Sequence, residues 1–432
     1  MKAAFYECDI TPPLGCYSVG YGVERIAEDV YDRLYSKALV LEQSGSYAVI
    51  ISVDMCEYPD DITDIVTGRI LKYTGIAPES VCITATHTHY GAPVMDSPEI
   101  NCFGDSCYKD VFCRLVADSA ILAFKRLKPA KLHYGKASVD GVAYSRCHYM
   151  KDGSLKSFFP VSQPTERPLT EPDTELPALF VEQDGELAGV LYCFCCHQDT
   201  VSAKNPFAYS GDYSSEVSDI LKKKYGHNFV SMYLPGPCGD VNHINIKDTE
   251  HILTHREIGR KIAEGVCRAQ KTLCPIDGNI TSVKETVTAS KRTFDFPTAK
   301  KLMHEFSNTE NSVYNVYGFL NYFMSNRSDN VKLYIQVIAI GDFAIHIYPG
   351  EMFVQYSYRT KQGSPYTHVM VVENSNSFGG YIPIPEAFGD NTDMYETSPS
   401  WCKFVVPETG EILLERMLEL SRKAIASDKQ IS

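Results

Sequence analysis

Apolar positions recur along this chain with two alternating periods. Ala38–Glu42 and Tyr47–Val53 are short apolar runs on either side of Gly45, and they read as paired strands. Asp60–Tyr73 follows with Ile62, Ile65, Val66, Ile70 and Leu71 at helical spacing, which predicts an amphipathic helix. Ser80–Thr84 reads as a strand, Ala85–Pro93 as a polar loop and Tyr108–Leu127 as a helix. Pro177–Val181 and Leu187–Cys196 predict a hairpin turning at Asp184-Gly185. Tyr213–Lys224 is then expected as a helix, Phe229–Tyr233 as a strand and Glu250–Thr272 as a long helix. The last third predicts a strand-rich stretch over Ile280–Phe294, two helices between Thr298 and Met324 and a strand hairpin over Lys332–Ile347. Helices over Phe353–Thr360 and Glu408–Ala426 complete it.

Strands interleaved with helices predict an α/β or mixed α+β scaffold, with mixed sheets flanked by helices. No linker, internal repeat or low-complexity block is legible, so a single domain over 1–432 is expected.

Charge narrows the function classes. The 432 residues carry 41 Lys and Arg against 54 Asp and Glu, a formal net charge of −13. A general nucleic-acid partner is therefore not expected, since binding one requires a basic face. No apolar run approaches the ~20 residues of a membrane span, and no basic amphipathic helix is visible, so no stable membrane anchoring is expected. The 15 cysteines are odd in number and lack framework spacing, which fits reduced thiols and a cytoplasmic protein.

Candidate chemistry sits at strand ends, where α/β proteins place their sites. In Thr86-His-Thr-His-Tyr-Gly-Ala-Pro93, His87 and His89 are one residue apart. On extended chain both would point to one side. They read either as metal and substrate contacts or as solvated loop histidines. His197 closes an apolar strand, either as a core histidine satisfied by backbone or as a ligand. Glu351, after Pro349-Gly350, is expected to open a helix. It would either complement the helix dipole or complete a His, His, carboxylate zinc set. The turn Pro235–Asn242 lacks a P-loop ending, and His251/His255 lack the glutamate of His-Glu-x-x-His. That histidine pair is expected at an exposed helix start.

Taken in order, Asp9-Ile-Thr-Pro-Pro13, the His87/His89 loop, Cys238-Gly-Asp-Val-Asn242, Pro349-Gly-Glu351, Gly379-Gly-Tyr381-Ile-Pro383 and Tyr395-Glu396 carry a resemblance. The chain resembles the neutral/alkaline non-lysosomal ceramidases over nearly its whole length. The resemblance implies zinc (Zn2+) held by His87, His197, Glu351 and Tyr381. It further implies that His89, Arg146 (in Ala143-Tyr-Ser-Arg146) and Tyr395 act on the scissile amide or the product carboxylate. Neither the family's secretory leader nor its C-terminal β-sandwich is visible, so a catalytic domain only is expected. Asn242 stands where some members have serine, which favours an activated water over a serine nucleophile.

The function so implied is a zinc-dependent amidohydrolase of neutral ceramidase type, with a metal-bound water attacking a small-molecule N-acyl amide. Two alternatives share the scaffold: a zinc hydrolase of a soluble ester, lactone or peptide-like substrate, and a non-catalytic metal- or ligand-binding protein. The acidic segment Glu386–Tyr395 is expected to wall the pocket and to favour a shorter, more polar acyl compound over long-chain ceramide.

Overall fold

In the computed structural model, residues 1–21, 25–94, 104–159, 162–201, 206–294, 297–301, 330–398 and 402–431 are described. Three sheets dominate, and each is built by the same local sequence of events. A first strand pairs antiparallel with a hairpin, a helix follows, and a further strand adds parallel to the second hairpin strand. A second helix then closes the unit.

In the first unit the strands are Lys2–Asp9, the hairpin Tyr35–Gln43 and Ser46–Val53, and the parallel strand Val81–Ala85, with helices Asp60–Thr74 and Ser106–Phe124. The second uses Lys131–Ser138, the hairpin Glu175–Gln183 and Glu186–Phe194, and Val230–Pro235, with helices Asp212–Tyr225 and His255–Ala269. The third uses Ile280–Ser290, the hairpin Asn330–Ile340 and Phe343–Ile347, and His368–Val372, with helices Gln355–Gly363 and Thr409–Ile431. The threefold repetition is one of topology, so it left no legible repeat in the sequence. Many residues satisfy the same alternation of apolar positions.

Side-chain alternation assigns each strand face to a layer. Val40, Val49 and Ile51 face the first helix pair, whereas Leu39, Leu41 and Ile50 join Leu179, Leu191, Ile338 and Ile345 in a core shared by all three sheets. Phe180, Val190 and Tyr192 face the second helix pair, and Leu333, Val337 and Ala344 face the third. Strands covered on both sides read as continuous apolar runs, as in Ala38-Leu-Val-Leu41. Truncating a shared-core residue such as Leu191 is expected to cost about 2–5 kcal/mol.

Local chemistry sets the boundaries. Ser44-Gly45 and Asp184-Gly185 both take positive φ, as two-residue hairpin turns require. The helix expected over Glu250–Thr272 begins only at His255. There Thr254 and Glu257 form a reciprocal capping box that fixes the start. Glu351 does not open a helix: Glu351–Met352 pairs parallel with Tyr381–Ile382, and the helix starts at Gln355. The two helices expected between Thr298 and Met324 fall almost wholly outside the described residues.

Candidate active site

The hairpin strands of the three units lead into one buried place. The second strand of each hairpin runs out into Cys56, His197 and Glu351 respectively, while His87 and His89 follow the parallel strand of the first unit.

Backbone bonds fix the histidine loop. Thr86 N–H donates to Val53 O, His87 N–H to Met55 O, and His89 N–H to Gln198 O, at 2.9, 2.9 and 3.0 Å. His87 adopts φ +67°, so the loop is not the extended chain that the His-x-His spacing suggests. The two rings still converge, with their Nε2 atoms 3.3 Å apart.

His87 Nδ1 lies 2.9 Å from Cys56 O, and His197 Nδ1 lies 2.8 Å from Cys238 O. A carbonyl can only accept, so each Nδ1 carries a proton, and in the neutral ring each Nε2 offers a lone pair inward. Glu351 Oε2 sits 3.4 Å from His87 Nε2 and 3.2 Å from His197 Nε2. It is buried and has no hydrogen-bond partner among the described residues. All three ligand atoms lie within 4.8 Å of one another. Two inward lone pairs and an orphaned carboxylate oxygen form a donor set suited to a divalent cation.

Burial would raise the Glu351 pKa, but His87 and His197 hold it well below the usual carboxylate range. Burial opposes charge on His87 as well, yet Cys56 and Glu351 push its pKa well above that of an ordinary imidazole, so without a cation its Nε2 holds a proton toward Glu351 that a bound cation would replace. Burial and then Arg146 lower His197, while burial and then His87 lower His89, so both are neutral near pH 7.

Tyr381 is 6% exposed and lines a cavity together with His87, His89, Glu351 and Tyr395. Tyr395, 45% exposed, stands edge-on to Tyr381 with ring centroids 5.8 Å apart. Arg146 is not among the lining residues. Its Nε donates to Glu396 Oε1 at 2.7 Å, and one terminal nitrogen donates to Gly239 O at 2.6 Å and to the Tyr381 hydroxyl at 3.2 Å. Its other terminal nitrogen lies 3.5 Å from His197 Nε2. The structure thus brings His87, His197, Glu351, Tyr381, His89, Arg146 and Tyr395 to one site, with Arg146 meeting both Tyr381 and His197.

His251 and His255 lie elsewhere. His251 is exposed beside Asp248, whereas His255 is buried against Tyr31, not exposed as its polar neighbours suggest. Asn242 is buried, and its side-chain oxygen accepts from Ile244 N–H.

Residues 6–329 match the profile of the family described as neutral/alkaline non-lysosomal ceramidase, N-terminal. The chain belongs to that family. Neutral ceramidases are hydrolases, so the pocket is placed within a hydrolase family. The fold agrees with the neutral ceramidase from Pseudomonas aeruginosa, at a TM-score of 0.72 and 17% identity over 97% of this chain and 74% of that one. A structure described as ceramidase complexed with C2 matches with the same figures.

In and beside this ceramidase-family pocket, reasoning from the sequence misses Cys56 and Tyr21, which line it, and Lys403, which packs on Tyr395. No local pattern marks them, because they enter the site only through tertiary packing. Glu396 was adjacent to a marked tyrosine, and the signal that it bonds Arg146 is its burial. No helix among the described residues is long and apolar enough to cross a membrane.

Proposed function

We propose that this chain is a zinc-dependent amidohydrolase that cleaves a small N-acyl compound. The observation carrying this reading is the convergence of the buried Glu351 Oε2 with His87 Nε2 and His197 Nε2, at 3.4 and 3.2 Å. Those three residues and Tyr381 would hold the ion. Zinc so held would polarise an amide carbonyl and make a nucleophile available from water near neutral pH.

The remaining residues have distinct tasks. His89 is neutral, and its buried Nδ1 has no partner among the described residues. It is placed to take a proton from the attacking water and return it to the leaving amine. Tyr395, at the open side, donates its hydroxyl to the carbonyl oxygen as charge develops there. Arg146 donates to the Tyr381 hydroxyl and so stabilises an electron-rich phenol oxygen. The three sheets act as one catalytic unit, because a single core joins them.

A cavity with Glu57, His89 and the tyrosines Tyr21, Tyr381 and Tyr395 in its walls suits a short or polar acyl group. A long alkyl chain gains about 0.8 kcal/mol per methylene only where an apolar groove covers it. The cysteine pattern and acidic charge support a cytoplasmic setting for such a substrate. Rates on acetyl, octanoyl and palmitoyl amides of one amine test this reading. Activity is expected to fall with acyl length, and a steep rise would restore a long-chain lipid substrate.

A further inference from the structure

Beside the cavity, Lys403 is an unusual presence. It is only 6% exposed, yet no carboxylate lies within ion-pair distance of its ammonium among the described residues. Its one hydrogen bond there is a long one, 3.4 Å to Ser398 Oγ. The nearby Glu396 is engaged by Arg146 instead. A buried ammonium is costly unless something compensates it. Here the compensation is the face of Tyr395, whose ring centroid lies 3.2 Å from Lys403 Nζ.

Tyr395 needs such a hold. It sits on the short turn Tyr395–Thr397 and is 45% exposed. Its ring is otherwise met edge-on, by Phe158 at 5.3 Å and Tyr381 at 5.8 Å, and its backbone N–H donates to Ser157 Oγ at 2.7 Å. We propose that Lys403 is a positioning residue for Tyr395, clamping its ring over Tyr381 and strengthening its hydroxyl as a donor to the carbonyl oxygen. A cation on one π face draws electron density from the phenol, which makes its O–H the better donor. Burial lowers the Lys403 pKa to about 8, while Cys402 and Glu396 oppose that shift and Arg146 adds to it, so the ammonium persists at neutral pH.

This inference rests on the amidohydrolase reading, and the test separates the two. Lys403→Met, Lys403→Arg, Tyr395→Phe and the Lys403→Met/Tyr395→Phe double variant are compared on a short N-acyl amide. Lys403→Met is expected to lower kcat about tenfold with KM little changed, as fits loss of a desolvated cation–π contact. Lys403→Arg is expected to restore most of that loss. In the Tyr395→Phe background Lys403→Met should have no further effect. An equal loss in both backgrounds, or no loss in either, overturns the proposal. If Lys403→Met does not fold, Lys403→Gln carries the same comparison. If the wild type cleaves no N-acyl amide, the amidohydrolase reading fails, and the crystal structure of the Lys403 variant decides the clamp alone. A displaced or split Tyr395 ring supports it; a ring unmoved over Tyr381 overturns it.

Discussion

His197 Nε2 lies 3.2 Å from Glu351 Oε2, although the two residues extend hairpins of different sheets. Both are buried, and the imidazole is fixed from behind by backbone carbonyls. Such a contact is expected to depend on a cation. His197→Ala and Glu351→Ala should each cut metal content, measured by elemental analysis, far below that of the wild type. His251→Ala should leave it unchanged, and the reverse pattern would move the site.

His89 is held tightly by its surroundings. Arg25 donates to its carbonyl at 2.6 Å, Tyr21 packs edge-on at 5.1 Å, and Gly20 presses on it from the side. His89→Ala is expected to keep the metal and lose ~10²–10³ in rate. At Gly20, with φ +122°, an added Cβ would come within 2.6 Å of His89 Cα, Cβ and Cγ. Gly20→Ala should therefore displace the ring and cost on the order of 10²-fold in turnover. Metal loss on His89→Ala would reverse the roles of the two loop histidines.

Arg146 and Glu396 form an ion pair at 2.7 Å with side chains 5% and 0% exposed. Removing the arginine alone strands a buried carboxylate, so Arg146→Ala is expected to destabilise the fold by about 3–5 kcal/mol in urea unfolding. Adding Glu396→Gln should recover part of that stability without restoring turnover. No recovery in the double variant would mean that the arginine's other bonds dominate.

Much of the scaffold was legible because it is local. Ile62, Val66 and Ile70 mark one helix face, and Gly45 and Asp184-Gly185 mark hairpin turns whose pairing is short-range. The family motifs named the histidines, Glu351 and both tyrosines. What was not legible depends on distant partners. Glu351 became a strand because Tyr381, which follows the third unit's parallel strand, supplies its pairing edge. His255 is buried because Tyr31, from the first unit, covers it. The common core of three sheets is equally invisible, since inward and outward faces are both apolar.

Acid stability offers an independent check on packing remote from the site. His346 is buried, with Nε2 2.9 Å from Ser421 Oγ and no partner for Nδ1 among the described residues, and burial lowers its pKa from 6.5 to about 3. Below pH 6.5 the unfolded chain binds a proton that the folded chain refuses, so stability falls as pH drops toward 3. The slope from this group approaches about 1.4 kcal/mol per pH unit. His346→Gln should flatten the unfolding free energy against pH by that amount in this window, and an unchanged slope would show that the histidine charges within the fold.

The most direct measurement removes and restores the metal while amide cleavage is followed. Purified protein should contain about one zinc per chain, as expected for a single site of this ligand type. It should release amine from a short N-acyl amide, lose that activity on chelation and regain it when zinc is returned. Full activity in protein stripped of metal, or zinc-loaded protein that cleaves no amide, would contradict the assignment.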